Sequence, residues 1–148
     1  MEHEEPTRRI IGGAMTVHRA LGAGFLESVY RNALTHELRG LGLTPEREVP
    51  IQVRYRALVV GNFSADMLVE RCVLVETKAV RTLGAAHEVQ LVNYLTATGI
   101  DIGLPLNFGA ERLEFRRKAR CYRPSPRREA ARQDGQDGQE DGTGASDE

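Results

Sequence analysis

The sequence predicts an α/β (α+β) chain, with one mixed β-sheet and helices packed against it. Three observations carry that expectation. Two helical periodicities open the chain, three or four strand-like runs follow as a meander, and one more helix leads into two short strands. A meander joined to later strands by a single helical crossover places antiparallel and parallel neighbours in one sheet. The length of 148 residues, 41% of them hydrophobic, suffices for one core but not two.

Between Arg8 and Leu21 the residues Ile10, Ile11, Ala14, Val17, His18 and Leu21 recur at helical spacing. Gly12 and Gly13 weaken this helix by about 1 kcal/mol each relative to Ala, and Gly22-Ala23-Gly24 ends it. A second helix runs from Leu26 to Arg39 with Val29, Ala33, Leu34 and Leu38 on its apolar stripe, and Gly40 and Gly42 stop it. Residues Val49–Tyr55 alternate as a strand, in which Pro50 marks the start or an edge. Ala57–Val60 is a short apolar run and Gly61-Asn62 reads as a turn. Phe63–Val69 and Val73–Val80 read as two more strands, Ala85–Thr98 as a helix ending at Gly99, and Ile102–Phe108 and Leu113–Phe115 as closing strands. From about Pro124 onward the chain has almost nothing to bury. The expected division is a folded domain over 1–120 and a disordered tail over 121–148, first rich in Arg and then acidic.

The net charge of −1 conceals an asymmetry, since residues 1–120 hold 16 basic against 14 acidic side chains and the last 28 hold 4 against 7. No apolar run approaches the roughly 20 residues of a membrane span, and no apolar leader follows the N-terminus. A cytoplasmic protein without membrane contact is the expectation. Cys72 and Cys121 lie at no metal-ligand interval and fit reduced thiols. Of 20 basic residues only Lys78 and Lys118 are lysine, so each lysine is conspicuous.

Lys78 stands in Val73-Leu-Val-Glu-Thr-Lys-Ala-Val80, a strand that reads as buried on both faces yet holds Glu76 and Lys78. Side chains two apart project to the same side, and burying charge is expensive unless it is paired or binds a metal. An ammonium suits a compact charge that approaches a reacting group. The preceding strand supplies Asp66. If Glu70, Arg71 and Cys72 form a three-residue loop, Val69 faces Val73 and Asp66 falls opposite Glu76; a two-residue loop turns Asp66 to the wrong face. In the first register two carboxylates converge beside a lysine, a set of oxygen donors suited to Mg²⁺ or Mn²⁺. Glu27 and Tyr30 lie one turn apart on a helix, as do Gln90 and Tyr94, with His87 on the latter's side. Taken singly, these are a solvated Glu, a half-buried Tyr and a polar helix face. His87 reads as structural or solvent-facing and His18 as part of an amphipathic face.

GAGFLESVY (22–30), ADMLVERCVLVETKAV (65–80), EVQLVNYL (88–95) and GLPLNFG (103–109) together resemble the GxxExxY family of small bacterial proteins, assigned to the PD-(D/E)XK nuclease superfamily. The resemblance extends from about Arg8 to Arg117 and implies a restriction-endonuclease-like sheet flanked by helices. It implies Asp66 as the metal-binding aspartate and Glu76 and Lys78 as the E-x-K pair. It also implies Glu27 as the first-helix glutamate, acting on the metal through water, and Gln90 and Tyr94 as a QxxxY motif along the substrate. The implied metal set is Asp66, Glu76, the Thr77 carbonyl and Glu27, with Mg²⁺ or Mn²⁺ as cofactor. Tyr30 joins Gln90 and Tyr94 as a substrate-binding candidate. The implied partner is nucleic acid, DNA ahead of RNA, and small proteins of this type leave room for a homodimer. Pro105 departs from the aliphatic residue usual in that strand and is expected to lie beyond the metal site.

Eight of the 17 residues from Arg112 to Arg128 are basic: Arg112, Arg116, Arg117, Lys118, Arg120, Arg123, Arg127 and Arg128. Such a stripe could grip phosphates, or equally form a solvated root for the acidic tail. Three functional readings follow: a Mg²⁺-dependent nuclease with Glu27, Asp66, Glu76 and Lys78 catalytic; a non-catalytic module binding nucleic acid or a partner; and a structural network of buried charges.

Overall fold

The computed structural model describes residues 4–120; the expected tail, Cys121 and the distal arginines of the stripe lie outside them. Helix α1 (Glu4–Leu21) and helix α2 (Glu27–Gly40) precede strands β1 (Pro45–Tyr55), β2 (Leu58–Val69) and β3 (Val73–Lys78). Helix α3 (Ala85–Thr98) then crosses to β4 (Ile102–Asn107), followed by β5 (Glu114–Phe115) and β6 (Lys118–Ala119). The sheet runs β1-β2-β3-β4-β5 with β6 also on β4. β3 and β4 are parallel and the other pairings antiparallel, so the fold is the mixed sheet flanked by helices that the element order predicts. No described helix is long and apolar enough to cross a membrane.

The helices divide by face. Ile10, Ala14 and Val17 of α1 and Tyr30, Leu34 and Leu38 of α2 pack on Met67, Val69, Val73, Val75, Leu104 and Leu106. Opposite, Leu91, Tyr94 and Leu95 of α3 pack on Ile51, Ala65, Leu68 and Leu74. β3 is buried on both faces, as its apolar run implies. Helix α1 begins earlier than its periodicity suggests because Pro6 sits in the first turn, where no helical N–H is lost. Gly13 faces Leu38 closely enough that a Cβ would approach its Cδ2 to 3.0 Å.

Three details correct the sequence reading. Gly61-Asn62 is not a turn: β2 is continuous from Leu58, and Gly61 lies in it beneath the Phe63 ring, beside the register shift at Val53/Arg54. The turn is made at Arg56-Ala57, with Arg56 at φ 57° and its guanidinium 5.1 Å from the centre of the Tyr55 ring. β3 ends at Lys78, not Val80, because the Val80 N–H is taken by Asn107 Oδ1 at 2.9 Å. Pro105 does not lie beyond the expected metal site but is in register with Glu76. Its carbonyl accepts from Arg116 N–H at 3.4 Å, on the outer side of β4 between β5 and β6. A strand residue's N–H and C=O point to the same edge, so the N–H that proline lacks is not one that β3 needs.

Candidate active site

The loop between β2 and β3 sets the register. Glu70 and Arg71 take left-handed backbone conformations at φ 56° and 57°, and Cys72 N–H closes the turn on Val69 O at 3.1 Å. Glu70 is held from outside, since Oε2 accepts from Thr44 N–H at 2.7 Å. Three residues thus separate Val69 from Val73, and those two pair, the register that puts Asp66 opposite Glu76.

The ladder between β2 and β3 runs only from Val69↔Val73 to Met67↔Val75. Beyond Met67 side chains replace it. Asp66 Oδ2 accepts from Thr77 N–H at 2.6 Å and from the Thr77 hydroxyl at 2.7 Å. In return Glu76 Oε2 accepts from Asp66 N–H at 3.1 Å. Opposite Asp66 on the other side, Glu48 takes φ 55° and interrupts the β1–β2 pairing between Arg47 and Val49. Around this break the apolar phase of β2 shifts: Ala65 and Leu68 both pack on the α3 side, Met67 and Val69 on the other. Asp66 therefore sits where β2 parts from β3, and the two carboxylates share the gap.

Burial acts on these groups. Glu76 is 8% exposed, and among the described residues its carboxylate accepts only the Asp66 N–H. Its pKa is pushed up to about 7, first by burial and then by the Asp66 charge, against the opposing pull of the Asp66 N–H and of Lys78. Lys78 is half-buried and has no ion-pair partner among the described residues. Asp66 is neutralised differently, by Arg31, whose Nη1 lies 3.2 Å from Oδ1. Sequence reasoning missed Arg31, although Arg31 stands four residues after Glu27 on α2 and hence on its face. Glu27 opens α2, and its charge is felt at Glu76.

The motif containing Glu27 has a structural logic. The hydroxyl of Tyr30 donates to Gly22 O and accepts from Phe25 N–H at 3.1 Å, while its ring stacks on Phe108 with centroids 4.8 Å apart. Gly22 and Gly24 have φ of 71° and 117°, conformations that a side chain disfavours. Tyr30 thus latches the turn that delivers Glu27 to the start of α2. Tyr30 is 0% exposed, which corrects its assignment as a substrate contact: its polar atom is spent inside the fold.

On α3, Tyr94 is buried and its pKa is raised by burial and then by the Glu76 charge, whereas Gln90 is exposed one turn earlier. His87 accepts weakly from Gly84 N–H at 3.4 Å through Nδ1, and His18 contacts Ala110 O at 3.0 Å; both are local structural roles. The loop after Lys78 is ordered by residues that the sequence did not single out. Asn107 Oδ1 accepts from Val80 and Gly109 N–H, its Nδ2 donates to Glu114 Oε1 at 2.9 Å, and the same Oε1 accepts from Leu83 N–H at 2.8 Å. These bonds hold the Glu114 pKa down, the one from Asn107 most. A Cβ on Gly109 would come within 2.4 Å of Val80 O, so only glycine lets the two segments approach. The described part of the basic stripe is partly neutralised: Lys118 and Arg116 pair with Glu88 at 3.1 and 3.6 Å, and Arg120 with Asp101 at 2.9 Å.

Whether these residues fit a divalent cation follows from the donors. Asp66, Glu76 and the Thr77 carbonyl offer oxygen donors of the hard type, and Glu76 is a buried acid in no ion pair among the described residues, with the Lys78 charge acting on it. Among the described residues no three or more His, Cys, Asp or Glu side chains converge as a metal-holding group, so Glu27 does not complete a protein cage. Mg²⁺ does not require one, since it is usually bound through one or two carboxylates with the remaining positions left to water and substrate phosphate. The residues fit such an ion.

A mixed sheet whose strands part around paired acids is a restriction-endonuclease-like architecture. A family model described as the PD-(D/E)XK nuclease superfamily matches residues 4–118, and the chain belongs to that superfamily. Searches of curated proteins and of solved structures give no significant match.

Proposed function

We propose that this protein is a divalent-cation-dependent nuclease that hydrolyses phosphodiester bonds of nucleic acid, DNA ahead of RNA, within the narrower GxxExxY group to which its motifs point. The observation that carries this is Glu76, a carboxylate held almost out of water in the gap between β2 and β3, joined to Asp66 and followed by a lysine that pairs with no acid among the described residues. A structural network of charges would be expected to close Lys78 into an ion pair, and here it acts on Glu76 without one.

Asp66, Glu76 and the Thr77 carbonyl would hold Mg²⁺ or Mn²⁺, with Glu27 acting through water. Such an ion supplies Lewis-acid polarisation of a phosphoryl oxygen and lowers the pKa of water at neutral pH. The chain's own contribution is positional. Thr77 fixes Asp66 through two hydrogen bonds to Oδ2 and leaves Oδ1 turned toward Arg31. Asp66 N–H fixes one oxygen of Glu76. Lys78 has the freedom to orient a nucleophilic water and to offset charge developing on the phosphoryl group. Gln90 and Tyr94 would lie along the substrate.

One observation favours a second reading, a nucleic-acid-binding module without catalysis: Arg31 already neutralises Asp66. A panel of end-labelled single- and double-stranded DNA and RNA, incubated with the protein and Mg²⁺ or Mn²⁺, divides the two. Cleavage by wild type, reduced by about 10²-fold or more in Glu76→Ala, supports the nuclease. Folded wild-type protein that cuts nothing on the panel transfers the case to the binding module.

A further inference from the structure

An open groove of about 1480 Å³ lies between the β1–β2 hairpin and α3. We propose that this groove binds an unpaired nucleic-acid strand by base stacking on Phe63, whose ring is backed by the buried Tyr94, and so makes single-stranded nucleic acid the substrate class of the adjoining site. The inference deepens the nuclease reading and rests on it for the meaning of "substrate".

Phe63, which lines the groove, stands three residues before Asp66 on β2, and Tyr94, which also lines it, packs in one cluster with Ala65, the neighbour of Asp66. Phe63 and Tyr94 form an aromatic pair across the groove, with centroids 5.6 Å apart. Phe63 is 47% exposed, so its ring face is available to a ligand. Around the rings stand the amides of Asn62, Gln90 and Asn93, none of which makes a side-chain hydrogen bond among the described residues. An amide both donates and accepts, the pairing capacity that base edges require.

Charge selects the occupant. Among the described residues no Asp or Glu lines the groove, and the only charged lining residue is Arg54. The guanidinium of Arg54 is held by Gln52 and by the Ala57 carbonyl, not by a carboxylate. The α3 acid, Glu88, is occupied by Lys118 and Arg116. An apolar floor with an exposed stacking ring, free amides and a positive charge held by no carboxylate suits a strand whose bases face inward and whose phosphates face out. A duplex has its bases already stacked and offers no ring face to Phe63.

Full-length protein in EDTA, where cutting is suppressed, is titrated against fluorescein-labelled dT20, rU20 and a 20-base-pair duplex while anisotropy is read. The expected result is binding of a single strand at least tenfold tighter than the duplex. Phe63→Ala should weaken that binding about tenfold, Phe63→Trp should retain it, and duplex binding should not change. Asn93→Asp, a near-isosteric change at an exposed position, should weaken single-strand binding by adding a carboxylate to the groove and guards against misfolding of the Phe63 variant. Duplex binding as tight as single-strand binding, or indifference to both substitutions, overturns the proposal. So does sedimentation showing a dimer that Phe63→Ala dissociates, which would assign the groove to a second copy of the chain. Metal-free single-strand binding without cleavage in Mg²⁺ would instead sink the nuclease reading and leave the groove assignment standing.

Discussion

The two faces of the sheet solve different problems. On the side of α1 and α2 nearly every inward side chain is apolar and fully buried, and even the hydroxyl of Tyr30 is consumed by the adjoining turn. On the side of α3 the core is smaller, one rim stays open, and the strand crossing beneath carries Glu76 and Lys78 where the other face has Val75 and Thr77. The closed face supplies the free energy that lets the open one keep a poorly solvated acid with a lysine nearby. The difference is therefore one of stability against chemistry, and it can be measured.

The largest expected effect falls on the closed face. Leu34→Ala, at a site with 0% exposure, should cost roughly 2–5 kcal/mol. Val89→Ala on the open face, where the side chain is 59% exposed, should stay within about 0.5 kcal/mol. Urea unfolding of both variants tests the contrast, and equal losses would break it.

A smaller effect comes from Glu76 itself. Its pKa rises from 4.5 to about 7 in the fold, so the folded protein holds this proton more tightly than the unfolded chain does. The contribution is complete below the unfolded value and is lost as pH rises through about 7, a change of about 3 kcal/mol. Glu76→Gln does not titrate there. The stability of wild type relative to Glu76→Gln should therefore fall between roughly pH 5 and pH 8 in metal-free buffer. Parallel pH curves for the two proteins would show that Glu76 is not held as described.

The smallest effect concerns Arg31, which occupies Asp66 Oδ1 from α2. A cation at Asp66 must share or displace it. Arg31→Gln should tighten Mn²⁺ binding in calorimetry by roughly threefold, in keeping with the modest worth of a partly exposed pair. Weaker binding in the variant would make Arg31 a support of the site instead of a competitor.

How far the sequence reached depended on whether a property was local. Periodicity located α2, α3 and β3, because a helix or a buried strand repeats its apolar positions whatever lies around it. It misplaced the hairpin turn, since Gly61 answers to the Phe63 ring and not to its own backbone preference, while the real turn is carried by Arg56. It proposed a substrate role for Tyr30 because an i,i+3 spacing with Glu27 gives a shared face, not the depth to which each side chain sinks. Arg31, Asn107 and Glu114 were invisible as site residues. Each is an ordinary polar residue whose meaning comes from a partner on another element.

By itself the sequence determined the fold class, the buried strand with an acid and a lysine two apart, and the two registers between which Asp66 had to choose. Tertiary structure alone made that choice. The three-residue loop succeeds without glycine because Thr44, just before β1, holds Glu70, and β2 parts from β3 at Asp66 because side chains there take over the backbone bonds. A ladder register is decided by hydrogen bonds between segments distant along the chain, and such bonds leave no trace in the spacing of residues within either one.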